Sequence, residues 1–574
     1  MTAQEIRTRI VDVVMRNGGH LASSLGAVEI AIALSETFDP KKDKIVWDVG
    51  HQAYAWKILT GRNEIFSTLR KTGGLSPFPN PAESAADAAV AGHAGVSISV
   101  ASGMAAARDA IGNNHVVVVV GDASIANGTA FEAINNLAEA TKKLIVILND
   151  NDMSISRPVG SFAKFFGRLI SSTRYNRVKY AAESAGHKLR LTFLRTAYHK
   201  IESRIKGLFV ASRFFENFGM RYIGPVDGHN LEALKEAFAV ARGDKRSVIV
   251  HVVTKKGRGY TPAELNPTAY HGVSPAPLDG QAKKPRDWSC AFGQILLDAA
   301  RKDERIFALT AGMRDGTGLT PFACEFPNRL RDVGIAEGHM LSFAAGLAAC
   351  GMKPVVAIYS TCLQRAVDQI MHDICLPSLP VVICVDRAGI VGADGATHQG
   401  LYDIAMLRCL PNLTICQPKD EQDFTALLNE ALERNSPTVI RYPRGAIKKS
   451  VQPYIPQGEI LAAIWTTGDW VEKANAVASK IAGCQVVHMR TLKPFDEKLL
   501  ASQRAQGIKI ISLENAATSG GIGEAIGADL KFGWPDEFIP HGQVAELEKL
   551  YNLDVDSIVE KLTYFLNTPP HNKG

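Results

Sequence analysis

The stretch His115-Val-Val-Val-Val-Val-Gly-Asp-Ala-Ser124 (HVVVVVGDAS) decides how the rest of the chain is read. Five consecutive valines suit a strand covered on both faces, as in a parallel sheet. Such a strand should end in a turn, yet this one runs into an aspartate. Gly128–Ala140 reads as a crossover helix, and the next strand, LIVIL (144–148), ends in Asn149-Asp150-Asn151-Asp152. The two strand tips are then neighbours at the carboxyl edge of the sheet, where open α/β sheets bind ligands. Asp122 and Asn151 would offer a carboxylate and an amide oxygen, a set that suits Mg²⁺ or Ca²⁺ shared with a phosphate. The alternative is that Asp122 is a helix cap and the Asn-Asp-Asn run a turn.

Working outward, apolar runs of strand length alternate with helical patterns. SVIVHVV (247–253), PVVAIY (354–359), PVVICVD (380–386), PTVIRY (437–442) and IKIISLE (508–514) read as further buried strands. The expected class is α/β, with three stacked α/β domains built on mainly parallel sheets. Residues 261–288 and 443–458 are rich in Pro and Gly or Lys and carry no period. Boundaries placed there give domains at 1–275, 288–450 and 458–574, with a basic, irregular excursion at 161–218.

A chain of 574 residues is too long for one core. Its 46% hydrophobic and 21% charged residues are those of a globular protein. A net charge of +6 over this length argues against a nucleic-acid partner and fits small anionic ligands. Nine cysteines without a CxxC pair point to free thiols in a reducing compartment. The first 20 residues read as a charged amphipathic helix and not as a signal peptide. No apolar run approaches the roughly 20 residues a membrane helix needs, so a cytoplasmic protein is expected.

Three more features carry chemistry. Glu337 stands at the head of an almost wholly apolar helix of small residues (335–350). A carboxyl against such a wall has a raised pKa and can share a proton with a ligand nitrogen; a plain helix-start glutamate is the alternative. His20, His51, His93, His271 and His398 each lie beside glycine or another small residue, as a polar pocket that handles protons would require. Arg387, Arg441 and Arg444 follow or end apolar strands, where they can grip a phosphate or form surface ion pairs.

With these residues in place, the chain resembles the 1-deoxy-D-xylulose-5-phosphate synthase family, thiamine diphosphate enzymes related to transketolase. The resemblance rests on WDVGHQAY (47–54), KILTGR (57–62), GGLSPFP (73–79), LNDNDMSIS (148–156), YIGPVDGH (222–229), TKKGRGYTPAE (254–264), AIYST (357–361), LQRAVDQ (363–369), DRAGIVGADGATHQG (386–400), RYPRG (441–445) and LENA (513–516). It implies a homodimer whose three domains hold the cofactor's diphosphate, hold its aminopyrimidine, and form a transketolase C-terminal domain. The implied reaction joins pyruvate to glyceraldehyde 3-phosphate with loss of CO₂, and its product feeds isoprenoid, thiamine and pyridoxal synthesis.

The resemblance also assigns roles. Asp122, Asn151 and the Met153 carbonyl match metal ligands, for Mg²⁺. His51, Gly92, His93, Ala94, Ala123, Ser124, Asn151, Tyr260 and Glu337 match cofactor contacts. Glu337, His398, His51, His20, His271 and Asp394 match the catalytic set. Tyr359, Ser360, Arg387, Arg441 and Arg444 match the grip on the substrate phosphate. The chain departs from the family pattern at Ala123 and Gly338, at Cys362 where a phenylalanine is usual, and at 80–84, where an arginine is replaced. These departures keep open a related transketolase or carboligase with another donor or acceptor, and a non-catalytic cofactor-binding paralogue.

Overall fold

A computed structural model describes residues 1–151, 213–275 and 286–568. Met153, and residues 161–212 of the expected excursion, lie outside them. The chain forms two compact units, Met1–Arg70 with Gly74–Gly280, and Lys71–Gly73 with Gln281–Gly574.

The first unit is built on one five-stranded sheet. Its strands are β1 (Lys44–Trp47), β2 (Val116–Gly121), β3 (Ile145–Asp150), β4 (Arg221–Asp227) and β5 (Val248–Val253), in the order β1-β2-β3-β5-β4. Every pairing is parallel. The valine run explains why the sheet is covered twice. Val117 and Val119 pack with Ile6, Trp56 and Phe238 on one face, and Val116, Val118 and Val120 pack with Ile98 and Leu137 on the other. Gly128–Ala140 is the crossover helix between β2 and β3, as its pattern predicts.

The second unit holds two sheets. The larger comprises β6 (Ile306–Thr310), β7 (Leu330–Asp332), β8 (Lys353–Tyr359), β9 (Val382–Asp386), β10 (Thr414–Cys416) and β11 (Thr438–Arg441). The smaller comprises β12 (Ala462–Thr466), β13 (Cys484–His488), β15 (Lys509–Ala517) and β16 (Leu530–Trp534), all parallel, in the order β13-β12-β15-β16. Short β14 (Thr491–Lys493) leaves the smaller sheet's stretch of chain and joins the edge of the larger one, antiparallel to β10.

One apolar core runs through both sheets of this unit. It includes Leu309, Val356 and Ile383 from the larger and Trp465 and Ile510 from the smaller. The 443–458 stretch carries no helix or strand, yet the core is continuous across it. All seven apolar runs quoted from the sequence are strands. The short or polar strands β1, β4, β6, β7, β10, β12, β13, β14 and β16 carry weaker patterns. Among the described residues no helix is long and apolar enough to cross a membrane.

Val118 is fully buried in the second strand of its sheet. Val118→Ala should destabilise the first unit by about 2 kcal/mol through lost contacts and a residual cavity. Urea unfolding checks this, and a shift no larger than that of exposed Val90→Ala would contradict the burial.

Candidate active site

The register that pairs Gly121 with Asn149 sets Asp122 and Asn151 at adjacent strand ends. Asp122 does not cap the crossover helix. Asn127 does, its side-chain oxygen accepting from the Thr129 N–H at 3.1 Å. Asp122 is buried, and burial together with the neighbouring Asp150 charge pushes its pKa up to about 7. Asn151 Oδ1 is buried with no hydrogen-bond partner among the described residues. A buried carboxylate beside an unsatisfied amide oxygen fits a hard cation with few protein ligands. No cluster of three or more His, Cys, Asp or Glu side chains that could hold a metal ion occurs among the described residues.

A second acid, Asp48, ends β1 as Asp122 ends β2. Its carboxylate accepts the Gly95 N–H at 3.0 and 3.1 Å and the Ser97 N–H at 3.2 Å. It thereby fixes the loop that carries Gly92, His93 and Ala94. Gly95 has φ +85°, and a Cβ there would stand 2.5 Å from the Asn127 side chain, so only glycine fits this close approach. Ser124 is buried behind the same loop and also hydrogen-bonds Asp48. Ala123, where the family pattern has glycine, adopts φ −70°, ψ −34°. This is ordinary right-handed backbone, so the extra methyl imposes no conformational strain.

Three of the five histidines cluster in this unit. The rings of His51 and His271 lie 5.5 Å apart, those of His20 and His271 5.7 Å, and those of His20 and His51 6.0 Å. Burial holds His51 and His271 well below the usual histidine pKa, with the Lys256 charge acting in the same direction on both. Both are therefore neutral near pH 7. Nδ1 of His51 is buried without a partner among the described residues. Tyr260 heads the helix Thr261–Leu265, its ring edge-on to Tyr270. Lys256, buried and pushed down to about 8, interacts with Asp122 as well as with His51 and His271.

In the second unit, Glu337 is the first residue of the helix Glu337–Ala349, one position inside the helix start. Burial pushes its pKa up. Its Oε2 accepts no hydrogen bond among the described residues, and Arg365 Nη1 lies 3.6 Å away. Cys362, interacting electrostatically with Glu337, has its thiol pushed up to about 12 by burial. A side chain at Gly338 would meet Gln369 Oε1 at 3.0 Å, so glycine there leaves the Gln369 amide its room.

The paired tips of β8 and β9 bring together Tyr359, Ser360 and Arg387. The Arg387 guanidinium sits 3.9 Å from the centre of the Tyr359 ring, a cation–π contact. Arg387 has φ +57°, an unusual backbone for a non-glycine residue. Arg444 NH1 lies 3.9 Å from Asp394 Oδ2, and Asp394 also acts on Arg387. Ser360 is buried and packs against Gly400. His398 shares a 2.9 Å hydrogen bond with Thr397 through Nδ1.

Arg441 does not belong to this set. Its Nε donates to Asp403 at 3.0 Å, and its two terminal nitrogens donate to Gln417 at 2.6 Å and to the Asn515 carbonyl at 3.2 Å, all in the interior. Its place at the end of a buried strand turns the guanidinium into an internal tie, and the expected phosphate contact is withdrawn for it. Breaking such a buried pair by removing one partner is costly. Arg441→Met should lower stability by about 3 kcal/mol in denaturant titration. Half-exposed Arg444→Met should leave the midpoint unchanged, and equal shifts would contradict the division.

Residues 1–254 match the family model of 1-deoxy-D-xylulose-5-phosphate synthase, 284–449 that of the transketolase pyrimidine-binding domain, and 460–558 that of the transketolase C-terminal domain. The 1-deoxy-D-xylulose-5-phosphate synthase 1 of Geobacter metallireducens is 44% identical, over 98% of this chain and 96% of that protein. The Clostridium acetobutylicum synthase is 42% identical, over 98% and 96%. Among solved structures, a transketolase from Leishmania mexicana aligns over 100% of this chain and 98% of its own, at 18% identity and a TM-score of 0.46. The extent and identity of the sequence matches place this chain in the 1-deoxy-D-xylulose-5-phosphate synthase family.

Proposed function

We propose that the chain is a thiamine diphosphate-dependent transferase that condenses pyruvate with glyceraldehyde 3-phosphate, releasing CO₂ and forming 1-deoxy-D-xylulose 5-phosphate. The observation that carries this reading is Glu337, a buried carboxyl with one oxygen unbonded at the head of an apolar helix. Such a group suits a proton shared with a ring nitrogen.

When bound, thiamine diphosphate supplies the carbon nucleophile and the electron sink for decarboxylation. The chain's own residues supply position and protons. Asp122, Asn151 and the Met153 carbonyl would hold Mg²⁺, and Gly92, His93, Ala94, Ala123, Ser124 and Tyr260 would line the diphosphate end. Glu337 holds a proton at its Oε atoms against the pyrimidine. His20, His51 and His271 are suited to exchange protons with substrate oxygens, because two of them stay neutral near pH 7. Tyr359, Ser360, Arg387 and Arg444 take the phosphate of the aldehyde, with Asp394 and His398 beside them. Two arginines suit a phosphate dianion because each guanidinium can donate paired hydrogen bonds to it.

The protein works as a cytoplasmic homodimer, with a diphosphate-binding domain at 1–275, a pyrimidine-binding domain at 288–450 and a C-terminal domain at 458–574. Cys362 favours one second reading, a carboligase with a different donor or acceptor. A thiol beside Glu337 offers no aromatic face for a ring to stack on.

CO₂ release from pyruvate should depend on glyceraldehyde 3-phosphate, thiamine diphosphate and Mg²⁺ together. Turnover only with other aldehydes or keto acids would establish the second reading, and no aldehyde-dependent turnover at all would remove both. Glu337→Gln should cut kcat by roughly 10²- to 10⁴-fold, the usual weight of a positioned acid–base group. Its thermal unfolding midpoint should fall by no more than the loss of one 3.6 Å ion pair with Arg365 explains, whereas the loss of kcat should persist at temperatures where the variant is fully folded.

A further inference from the structure

Asp394 and His398 sit on a loop that is held partly by its own bonds and partly by the chain that follows it. It is closed at its base by two backbone bonds, Gly389 N–H to Gly400 O at 2.6 Å and Gly400 N–H to Gly389 O at 2.8 Å. Between them, Gly389, Gly392 and Gly395 all have positive φ, at 86°, 85° and 73°. Glycines in such conformations lose more entropy on ordering than any other residue. Within the loop, Gln399 Oε1 accepts from the Val391 and Gly392 N–H groups at 2.8 and 3.0 Å.

The loop also carries backbone bonds from the His398 and Gln399 N–H groups to the Gly395 carbonyl at 2.8 and 3.1 Å, and the Thr361 hydroxyl donates to the Thr397 carbonyl at 2.9 Å. Further restraints come from the C-terminal stretch of the same unit. Asn515, at the carboxyl end of β15, accepts the Ile390 N–H on its Oδ1 at 2.9 Å. A Cβ at Gly389 would stand 2.4 Å from Asn515 Nδ2, so the loop backbone meets the Asn515 side chain there as closely as glycine permits. At the far end of the loop, Gln399 Nε2 donates to the Pro540 carbonyl at 3.2 Å.

Asn515 is itself fixed from three sides. Trp534 Nε1 donates to its Oδ1 at 3.2 Å, its Nδ2 points at Asp469 Oδ2 at 3.5 Å, and Arg441 donates to its main-chain carbonyl at 3.2 Å. With two N–H donors on one side and a carboxylate on the other, only an amide satisfies the position. Arg441 is tied in turn to Asp403 and Gln417. The chain of contacts thus runs from the larger sheet, through Arg441 and Asn515, to the base of the loop.

We propose that Asn515 is a positioning residue for the acceptor-phosphate end of the site, holding the 389–400 loop so that Asp394 and His398 meet the aldehyde substrate. This rests on the reading of those two residues given under the proposed function. Its test uses the full-length enzyme with thiamine diphosphate and Mg²⁺. Asn515→Leu keeps the volume and removes the acceptor. Gly389→Ala pushes on the same contact from the loop side, and tests the idea even where the first variant folds poorly.

Each should raise KM for glyceraldehyde 3-phosphate about tenfold, the worth of one buried hydrogen bond, and leave KM for pyruvate within about twofold. Amide hydrogen exchange across 389–400 should speed up by a similar factor, while exchange in 509–513 stays as in the parent. In a double-mutant cycle the two effects should not add, because they break one contact. Unchanged exchange in the loop, or an equal rise in both KM values, overturns the proposal. Absence of aldehyde-dependent turnover in the parent would instead remove the functional reading, and the exchange measurement would still decide whether Asn515 holds the loop.

Discussion

Burying a carboxylate at the end of a parallel strand is costly, and this protein does it repeatedly. Asp48, Asp122 and Asp386 follow or end apolar strands and are buried, and Glu337 is buried at a helix head. Burial raises the pKa of all four, so each resists ionising more than an exposed acid would. The acids differ in what offsets that cost. Asp48 accepts three backbone hydrogen bonds, and Asp386 accepts the Ser289 hydroxyl at 2.7 Å and the Arg387 N–H at 2.7 Å. Glu337 has an oxygen that accepts nothing, and Asp122 lies beside an amide oxygen in the same condition. The first pair shape the backbone. The second pair face charged side chains instead, Arg365 beside Glu337 and Lys256 acting on Asp122.

This difference explains how much of the site the sequence revealed. An apolar run that collides with an acid is a strong local signal, and it led to Asp122 and, through the next strand, to Asn151. The same logic applies to Lys-Ile-Val-Trp-Asp at 44–48, but that run is short and its leading lysine is exposed, so Asp48 was legible only as part of a motif. Glu337 was legible because its helix is almost without polar residues. Lys256 and Asn515 were legible only as members of TKKGRGYTPAE and LENA, and their roles were not. Each lies among residues of mixed character, and its significance comes from partners far along the chain: Asp122 for the first, Ile390 and Asp469 for the second.

The fold shows the same limit. Long uniform runs gave their strands, because full burial on both faces forbids polar residues. Edge strands such as β7 and β14 have one side open or only three residues to declare themselves, and the crossing of β14 into the larger sheet cannot be read from spacing. Arg441 is the most instructive failure. An arginine at a strand tip resembles an anion grip, and Arg387 is one residue past a comparable tip. The difference lies in what surrounds each. Asp403 and Gln417 enclose Arg441, whereas Arg387 lies across an aromatic ring. Neither environment is local in sequence.

The departures from the family pattern fall into two kinds. At Ala123 the backbone is ordinary, so the substitution changes only the space available, by one methyl. At Cys362 the change is chemical. A thiol that stays protonated near pH 7 replaces a flat apolar face next to the buried carboxyl. Aromatic stacking contributes on the order of 1 kcal/mol beyond the burial of area. A chain that lacks it must recover the orientation of a ring from hydrogen bonding alone, which places more weight on Glu337. Gly338 acts in the same direction, because a smaller residue beside Glu337 leaves Gln369 close to the head of that helix. The two changes together leave a thiol and the Gln369 amide around Glu337, surroundings less apolar than the family pattern implies.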